Sequence, residues 1–241
     1  MKVTDRWYSD RLGRELTVAR WGTYGTPVLL FPTAGGDAEE VERNGLLAHV
    51  QPLIDAGRAK VYSCDSVAGQ AMLDRAGSTD HRYALFNRFH QAVGEEVVPA
   101  IFSDCGGPQP VVTAGASIGA FNSLAILCRY PHLVNAAVCM SGSYALEGFI
   151  GGRFTDDLFY SSPLHFLPGL DGPALDTLRR RMVILATGSG EWEDVGESWR
   201  VAQLLGGKGV PNRVDDWGPR YAHDWPTWYE MLPTYLDEVL P

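Results

Sequence analysis

Two kinds of hydrophobic pattern alternate along the chain. Short, nearly continuous apolar runs predict β-strands, and segments with apolar residues at every third or fourth position predict helices. Strands are expected at residues 16–21, 27–31, 61–64, 110–114, 134–140, 182–186 and 212–217. Helices are expected at residues 80–103, 117–129, 198–205 and 224–239. Pro99 should kink or shorten the first of these helices.

Strands followed by helices in this order predict parallel strands joined by crossover helices. Because the strands are apolar along nearly their whole length, the sheet should be buried on both faces. The expected fold class is therefore α/β, with a mostly parallel central sheet and helices on both sides. Residues 141–181 are rich in glycine and proline, which predicts a short insertion, a candidate lid or substrate wall. With no linker visible, residues 1–241 are expected to form one domain.

Composition and charge exclude several classes of protein. The chain has 241 residues, 45% hydrophobic and 20% charged, which excludes a disordered or low-complexity protein. A net charge of −9 argues against a nucleic-acid partner, because such proteins need clustered lysines and arginines. The four cysteines show no CxxC spacing and are expected to be free thiols. No apolar stretch fits a membrane span or a signal peptide, so a cytoplasmic protein without a membrane partner is expected.

The segment 115–119 reads Gly-Ala-Ser-Ile-Gly and lies between a predicted strand and a predicted helix. A nucleophile elbow requires this G-x-S-x-G context, since a sharp turn projects the Ser117 hydroxyl from the end of the sheet. Small residues on both sides let the turn approach neighbouring backbone. The pattern also fits a glycine-rich turn in which Ser117 merely caps the helix. Its position after an apolar strand favours the nucleophile.

In such a fold, an acid and then a histidine follow the serine along the chain. His223 lies after the last predicted strand and before the closing helix, where a general base can reach Ser117. It could instead be a helix-start histidine without a catalytic role. His165, inside the insertion, could line a substrate pocket. Three further histidines are expected at the surface: His49, His81 and His90.

The acid should follow the strand at 182–186, where the loop carries three carboxylates. The turn at 188–190 should direct Glu191 back toward the sheet, so Glu191 is the first candidate, Asp194 the second and Glu193 the third. The second and third could also be solvated loop charges.

The expected oxyanion donors are the backbone N–H groups of Ile118 and of Ala34 or Gly35. Ile118 follows the serine at the helix start, and the loop at 32–37 is rich in small residues that permit a close approach. A plain Gly-Gly turn is the alternative for that loop. No set of His, Cys and Asp residues has metal-ligand spacing, and the predicted chemistry needs no cofactor.

Seven short strings carry a resemblance to a known family: 30–36 (LFPTAGG), 64–66 (CDS), 96–99 (EVVP), 115–121 (GASIGAF), 141–144 (SGSY), 186–188 (ATG) and 223–228 (HDWPTW). The chain resembles the esterase branch of the α/β-hydrolases, which includes esterase D, feruloyl and acetyl-xylan esterases and the mycolyltransferases. It looks most similar to a set of small bacterial esterases of nearly this length. The resemblance implies Ser117 as nucleophile and His223 as base. It places the acid at Glu191, three residues past the glycine that ends the strand, where the family usually has Asp.

The expected function is a serine carboxylic ester hydrolase that forms an acyl-enzyme on a small, aryl-linked or carbohydrate-linked acyl ester. The alternatives are an acyltransferase of the same fold and a catalytically silent binding protein. Trp192, His165 and Tyr144 are the expected substrate-binding residues, although the tryptophans near the chain end fit core packing equally well. A small-molecule ester is the expected partner. The sequence leaves the oligomeric state open, and a homo-oligomer is compatible with it.

Overall fold

The strands of the chain pair into one sheet in a computed structural model that describes residues 1–73 and 77–241. The strands are β1 (Lys2–Ser9), β2 (Arg14–Trp21), β3 (Thr26–Phe31), β4 (Ala59–Cys64), β5 (Val111–Ala116), β6 (Val134–Met140), β7 (Met182–Thr187) and β8 (Asn212–Asp216). Their order across the sheet is β1-β2-β4-β3-β5-β6-β7-β8. β1 and β2 run antiparallel to their neighbours, and the strands from β4 to β8 pair in parallel. The mostly parallel sheet agrees with the prediction.

Helices connect the strands and cover both faces of the sheet. The helices of the described residues are α1 (Glu40–Arg43), α2 (Leu46–Asp55), α3 (Val67–Leu73), α4 (Thr79–Ala92), α5 (Val98–Asp104), α6 (Ile118–Arg129), α7 (Leu146–Ile150), α8 (Asp156–Ser161), α9 (Pro163–Phe166), α10 (Gly172–Leu178), α11 (Val195–Gly207) and α12 (Trp225–Val239). None of these helices combines the length and the apolar character needed to cross a membrane.

Successive residues of each central strand contribute to two different cores. In β3, Leu29 and Phe31 pack on the side of α4, α6 and α11, whereas Val28 and Leu30 pack on the side of α2 and α12. Side chains alternate between the faces of a strand, so a strand buried on both faces must be apolar throughout. This explains why the central strands appear in the sequence as continuous apolar runs.

At the antiparallel edge of the sheet, β2 corresponds to the strand expected at 16–21, whereas β1 was not predicted. β1 carries mostly exposed polar residues, and it is held partly by Glu96, which accepts hydrogen bonds from Trp7 Nε1 and Ser9 Oγ, both at 2.9 Å. An edge strand attached in this way leaves no apolar alternation in the sequence. α1, α2 and α3 were likewise missed.

The helix expected at 80–103 is interrupted. α4 ends at Ala92, a π-helical segment spans Val93–Val97, and α5 begins at Val98. Pro99 lacks an N–H, and its ring would clash with the carbonyl of a regular preceding turn, so the wider π turn accommodates it. The prediction that Pro99 disturbs this helix agrees with the structure.

His90 is buried rather than exposed, and the prediction of a surface position for it is wrong. Its imidazole is 0% exposed and lies on the same face of α4 as Phe86, four residues earlier. Nε2 lies 3.0 Å from the Oδ1 of Asn122 on α6. His49 and His81 are exposed, as expected.

Candidate active site

Ser117 occupies a strained turn between β5 and α6. Its φ of 57° and ψ of −122° are unusual for a residue with a side chain, and its N–H donates to the carbonyl oxygen of Met140 at 3.0 Å. A methyl group on Gly115 would lie 2.5 Å from the backbone of Gly119, and one on Gly119 would lie 2.5 Å from the carbonyl oxygen of Phe31. Both glycines of the motif are therefore required by close backbone approaches.

Two backbone segments meet beside this turn, the start of α6 and the loop after β3. Ile118 is the first residue of α6, so its N–H has no acceptor within the helix. The loop after β3 contacts the helix start, because Gly119 packs against Phe31 and Pro32. Ala34 and Gly35 form the turn of that loop. The three predicted oxyanion donors thus lie on the two segments that meet beside Ser117.

A buried carboxylate fixes the loop after β3. Glu40 on α1 is 7% exposed and accepts hydrogen bonds from the N–H and the hydroxyl of Thr33, at 2.7 and 2.8 Å. Gly36 lies so close to Glu40 that a methyl group there would be 2.6 Å from the Glu40 carboxyl carbon. Sequence reasoning missed Glu40, since nothing in a polar helical segment marks one carboxylate as buried.

His223 faces Glu193 and not Glu191. The Nδ1 of His223 lies 3.7 Å from Oε2 of Glu193, whose side chain is 1% exposed. Glu191, the first candidate, is exposed, and its backbone carbonyl accepts the His223 N–H at 2.9 Å. Asp194, the second candidate, caps α11 by accepting the N–H of Gly196 at 2.9 Å. The structure therefore disagrees with the predicted order and pairs His223 with the third candidate.

The reason lies in the contact between two loops, the acid loop (residues 187–194) and the histidine loop (residues 217–224). Gly190 N–H donates to Tyr221 O at 3.0 Å, and a methyl group on Gly188 would lie 1.9 Å from the same oxygen. These contacts use the backbone of residues 188–191 and leave the Glu191 side chain outside. Trp192 then adopts a positive φ of 65°, which reverses the chain and directs Glu193 inward.

Two hydroxyl groups contact the Glu193 carboxylate, and an indole N–H lies behind one of them. Thr187 Oγ1, at the end of β7, lies 3.2 Å from Oε2 of Glu193. Ser141 Oγ, just after β6, donates to Oε1 and accepts a hydrogen bond from Trp228 Nε1 at 3.0 Å. The Trp228 ring also packs edge-to-face on His223, with the centroids 5.4 Å apart. Sequence reasoning favoured core packing over a pocket wall for Trp228 and assigned no role to Ser141.

A cavity of about 300 Å³ opens beside His223 and Glu193. Its lining residues are Ser141, Gly142, Ser143, Ala145, Gly148, Phe149, Trp192, Glu193, Asp194, Glu197 and His223. Ser117 lies next to this wall, because its carbonyl oxygen accepts the N–H of Ser143 at 3.4 Å. Within the described part of the chain, the Ser117 hydroxyl makes no hydrogen bond. A larger depression of about 430 Å³ lies at the opposite end of the sheet, around Tyr24 and Arg58.

Of the predicted substrate-binding residues, Trp192 lines the cavity and is 84% exposed. Phe149, in the insertion, lines the same cavity and is 55% exposed. His165 does not line it, since its Nε2 lies 2.5 Å from Oε1 of Glu147 and its ring packs on Phe154. Tyr144 is 1% exposed, and burial raises the pKa of its hydroxyl well above the usual value. The aromatic wall thus consists of Trp192 and Phe149.

The acidic side chains of the cavity do not form a metal site. Among residues 1–73 and 77–241, no group of three or more His, Cys, Asp and Glu side chains is arranged to hold a metal ion. One oxygen of Glu197 is occupied by the N–H groups of Tyr144 and Ala145, at 2.7 and 2.8 Å.

No protein-family model matches the chain, and no curated protein sequence matches it. Solved structures do match. A ferulic acid esterase superposes with a TM-score of 0.75 and 16% identity, over 99% of this chain and 97% of its own. An S-formylglutathione hydrolase from Agrobacterium tumefaciens gives a TM-score of 0.71 at 14% identity, over 99% and 92% of the two chains.

A third similar structure is a fluorophosphonate-binding serine hydrolase of Staphylococcus aureus. Its TM-score is 0.62 at 12% identity, over 99% of this chain and 97% of that one. At such identities the shared feature is the fold. The chain therefore has the α/β-hydrolase fold, as its sequence predicts.

Proposed function

We propose that the protein is a serine hydrolase that cleaves carboxylic esters, with Ser117 as nucleophile, His223 as base and Glu193 as acid. The observation that carries this proposal is the pairing of His223 with a buried carboxylate at the edge of the sheet where Ser117 occupies its strained turn. The names of the similar structures, a ferulic acid esterase and an S-formylglutathione hydrolase among them, favour acyl chemistry.

The mechanism assigns one task to each group. Glu193 accepts the Nδ1–H of His223, which leaves Nε2 free to take the proton of the Ser117 hydroxyl as it attacks the ester carbonyl. The imidazolium that forms is stabilised by the buried carboxylate. His223 then protonates the leaving alcohol, and water attacks the acyl-enzyme with His223 again acting as base. The contact between Nδ1 and Oε2, 3.7 Å here, is expected to shorten when substrate is bound.

The developing oxyanion is assigned to the backbone donors beside Ser117. The Ile118 N–H lies at the start of a twelve-residue helix, where the helix dipole also favours negative charge. The second donor is the N–H of Ala34 or Gly35, on the loop that Glu40 holds through Thr33. Fixed backbone donors of this kind stabilise the transition state without reorganisation.

The cavity wall indicates the kind of ester. Trp192 and Phe149 offer exposed aromatic surface at the cavity beside His223. Aromatic walls bind flat or apolar groups. The proposed substrates are accordingly small esters with an aryl or a carbohydrate-linked acyl group, and residues 141–181 supply one wall of their site.

Replacement of Ser117 by alanine tests the proposal. Hydrolysis of p-nitrophenyl acetate should fall by roughly 10⁶-fold, as for other serine nucleophiles, and labelling by a fluorophosphonate probe should be lost. Ser189→Ala, which changes an exposed serine of the acid loop, should keep both. Retained turnover or labelling in Ser117→Ala would exclude Ser117 as nucleophile. Added alcohol as a competing acceptor separates hydrolysis from acyl transfer.

A further inference from the structure

Behind Glu193 lies a chain of hydrogen bonds that the proposed mechanism does not use. Trp228 on α12 donates its indole N–H to Ser141 Oγ at 3.0 Å, and Ser141 Oγ donates to Oε1 of Glu193. Ser141 is 2% exposed and Trp228 is 4% exposed. The chain therefore joins two buried groups to the carboxylate that faces His223.

The direction of every proton in this chain is determined by the chemistry of its members. An indole N–H can only donate, so Ser141 Oγ must accept from Trp228. An ionised carboxylate can only accept, so the single proton of Ser141 is directed at Glu193. Trp228 thus orients the hydroxyl of Ser141 toward Glu193.

The backbone of Ser141 is fixed as firmly as its side chain. Ser141 has a positive φ of 48°, and its N–H donates to the carbonyl oxygen of Ala186 at 2.8 Å. A residue with a side chain persists in this conformation only when its surroundings impose it. β6 and β7 therefore hold Ser141 at the position from which its hydroxyl reaches Glu193.

Thr187, the other hydroxyl on Glu193, is a weaker donor. Its single proton has two acceptors, the carbonyl oxygen of Gly188 at 2.8 Å and Oε2 of Glu193 at 3.2 Å. The nearer acceptor is the carbonyl, so Thr187 gives Glu193 at most a shared hydrogen bond. Ser141 supplies the dedicated donor.

We propose that Ser141 is a positioning residue, which holds Glu193 in the ionised, inward orientation that His223 requires, and that Trp228 acts through Ser141 by directing its proton. This inference rests on the proposed function, because it assigns Ser141 and Trp228 to the acid of that mechanism. The inference gives Ser141 and Trp228 a role in orienting Glu193, in addition to their role in packing.

Other titratable groups near Glu193 stay unchanged in the test. Asp194 and Glu197 line the same cavity from the acid loop and α11. Glu191 lies outside in the loop, and Asp224 caps α12 at the surface. Tyr144, after β6, keeps its proton because burial raises its pKa.

The first experiment compares Ser141→Ala with the wild-type protein in ester hydrolysis over a range of pH. Loss of a hydrogen bond to a charged group should lower kcat by about 10- to 100-fold with little change in KM. Removing a donor from an anion makes the Glu193–His223 pair bind its proton more tightly. The acid limb of the kcat/KM profile should therefore move to higher pH.

The second variant is Trp228→Phe, which keeps a ring against His223 but removes the indole N–H. Its kcat should fall less than that of Ser141→Ala, and its acid limb should move in the same direction. The double variant should be no worse than Ser141→Ala alone, because phenylalanine keeps a ring against His223 and the lost indole N–H acts only through Ser141.

Two control variants separate positioning from general loss of packing. Trp225→Phe changes the tryptophan that packs on Trp228, with ring centroids 5.1 Å apart. Ser123→Ala removes a buried serine hydroxyl bonded to Thr113 at 2.9 Å. Both should leave the acid limb of the pH profile in place, even where thermal unfolding shows reduced stability.

A readout without turnover distinguishes this inference from the proposed function. The His223 ring, followed by NMR in isotope-labelled protein, should titrate at higher pH in Ser141→Ala than in the wild type. Unchanged kcat and an unchanged His223 titration in Ser141→Ala would overturn the inference, as would additive effects in the double variant. Absence of ester hydrolysis in the wild type, or full activity in Ser117→Ala, would overturn the proposed function while the His223 titration still reports on Ser141.

Discussion

The two sides of the candidate active site are built in different ways. On the nucleophile side, backbone against backbone sets the position of Ser117, through the close approaches of Gly115 to Gly119 and of Gly119 to Phe31. On the acid side, side-chain hydrogen bonds from Thr187 and Ser141 set the position of Glu193.

This difference decides what a sequence can reveal. A backbone approach demands glycine at a fixed spacing, so it leaves a motif of five consecutive residues. A carboxylate that is held by side-chain hydroxyls leaves no such motif. Its hydroxyl partners come from other parts of the chain, so the sequence of the loop does not show which of several neighbouring acidic residues they hold. The serine of the candidate site was accordingly predicted from its motif, whereas the carboxylate that faces His223 was predicted two residues too early, at Glu191 instead of Glu193.

The largest expected effect distinguishes the two glutamates of the acid loop. Glu193→Gln should lower kcat by about 10⁴-fold, because the amide can no longer stabilise the imidazolium and can favour the wrong tautomer of His223. Glu191→Gln is the matched control, and it should change kcat by less than about threefold since its exposed side chain leaves the backbone contact to His223 intact. Steady-state hydrolysis of a p-nitrophenyl ester measures both. The reverse ranking would restore Glu191 as the acid.

The next effect tests the backbone construction of the nucleophile side. Gly119→Ala should lower the free energy of unfolding by about 1–3 kcal/mol, because the new methyl group meets the Phe31 carbonyl at 2.5 Å. Gly207→Ala, at the end of α11 with open space around it, should be neutral or raise stability by about 0.4–1 kcal/mol. Urea unfolding measures both. Equal effects of the two substitutions would contradict a tightly packed turn at Ser117.

A side-chain hydrogen bond also occurs behind the nucleophile, between His90 and Asn122 on α6. Burial lowers the pKa of His90 to about 3, from a value of ~6.5 in an unfolded chain. Below pH ~6.5 the unfolded chain therefore binds a proton that the folded chain does not, and stability falls as the pH is lowered. Between pH ~6.5 and pH ~5 the loss should be about 1.6 kcal/mol.

His90→Gln removes this titration. Urea unfolding at both pH values should give a smaller pH dependence in His90→Gln than in the wild type. An identical dependence in the two proteins would mean that His90 is protonated, and so solvated, in the folded state. The nucleophile side would then be less tightly packed than the structure indicates.

The smallest effect concerns the rim of the cavity. Trp192 is 84% exposed, so Trp192→Ala should raise KM for aryl esters by about two- to tenfold and leave kcat nearly unchanged. Trp199→Ala, at an exposed tryptophan of α11 that does not line the cavity, should leave KM unchanged. A large fall in kcat for Trp192→Ala would instead indicate that the Trp192 side chain helps to place Glu193.

Much of the fold was predictable because burial on both faces leaves a strong signal. β3, β5, β6 and β7 are apolar on successive residues and were identified within one or two positions. β1 was missed because an edge strand with mostly exposed residues carries no such signal. His90 was predicted at the surface because histidine is polar, although it lies on the apolar face of its helix.

The candidate-site residues that could be predicted are those whose positions depend on nearby residues in the sequence. Ser117, Ile118 and His223 follow from strand ends and a short motif. Glu193 depends on the positive φ of Trp192, a backbone conformation that the residue type does not announce. His165 does not line the cavity and instead contacts Glu147, eighteen residues earlier in the chain. No sequence pattern predicts this pairing.

The contact between the acid loop and the histidine loop has a consequence for engineering. Ser189, Gly190 and Glu191 are tied by backbone hydrogen bonds to Gly218, Tyr221 and His223, respectively. Residues 187–194 and 217–224 thus form a single structural unit made of two loops. Exchange of one loop alone with that of another protein of this fold would break these backbone hydrogen bonds, whereas a joint transplant would carry Glu193 and His223 together in their mutual geometry.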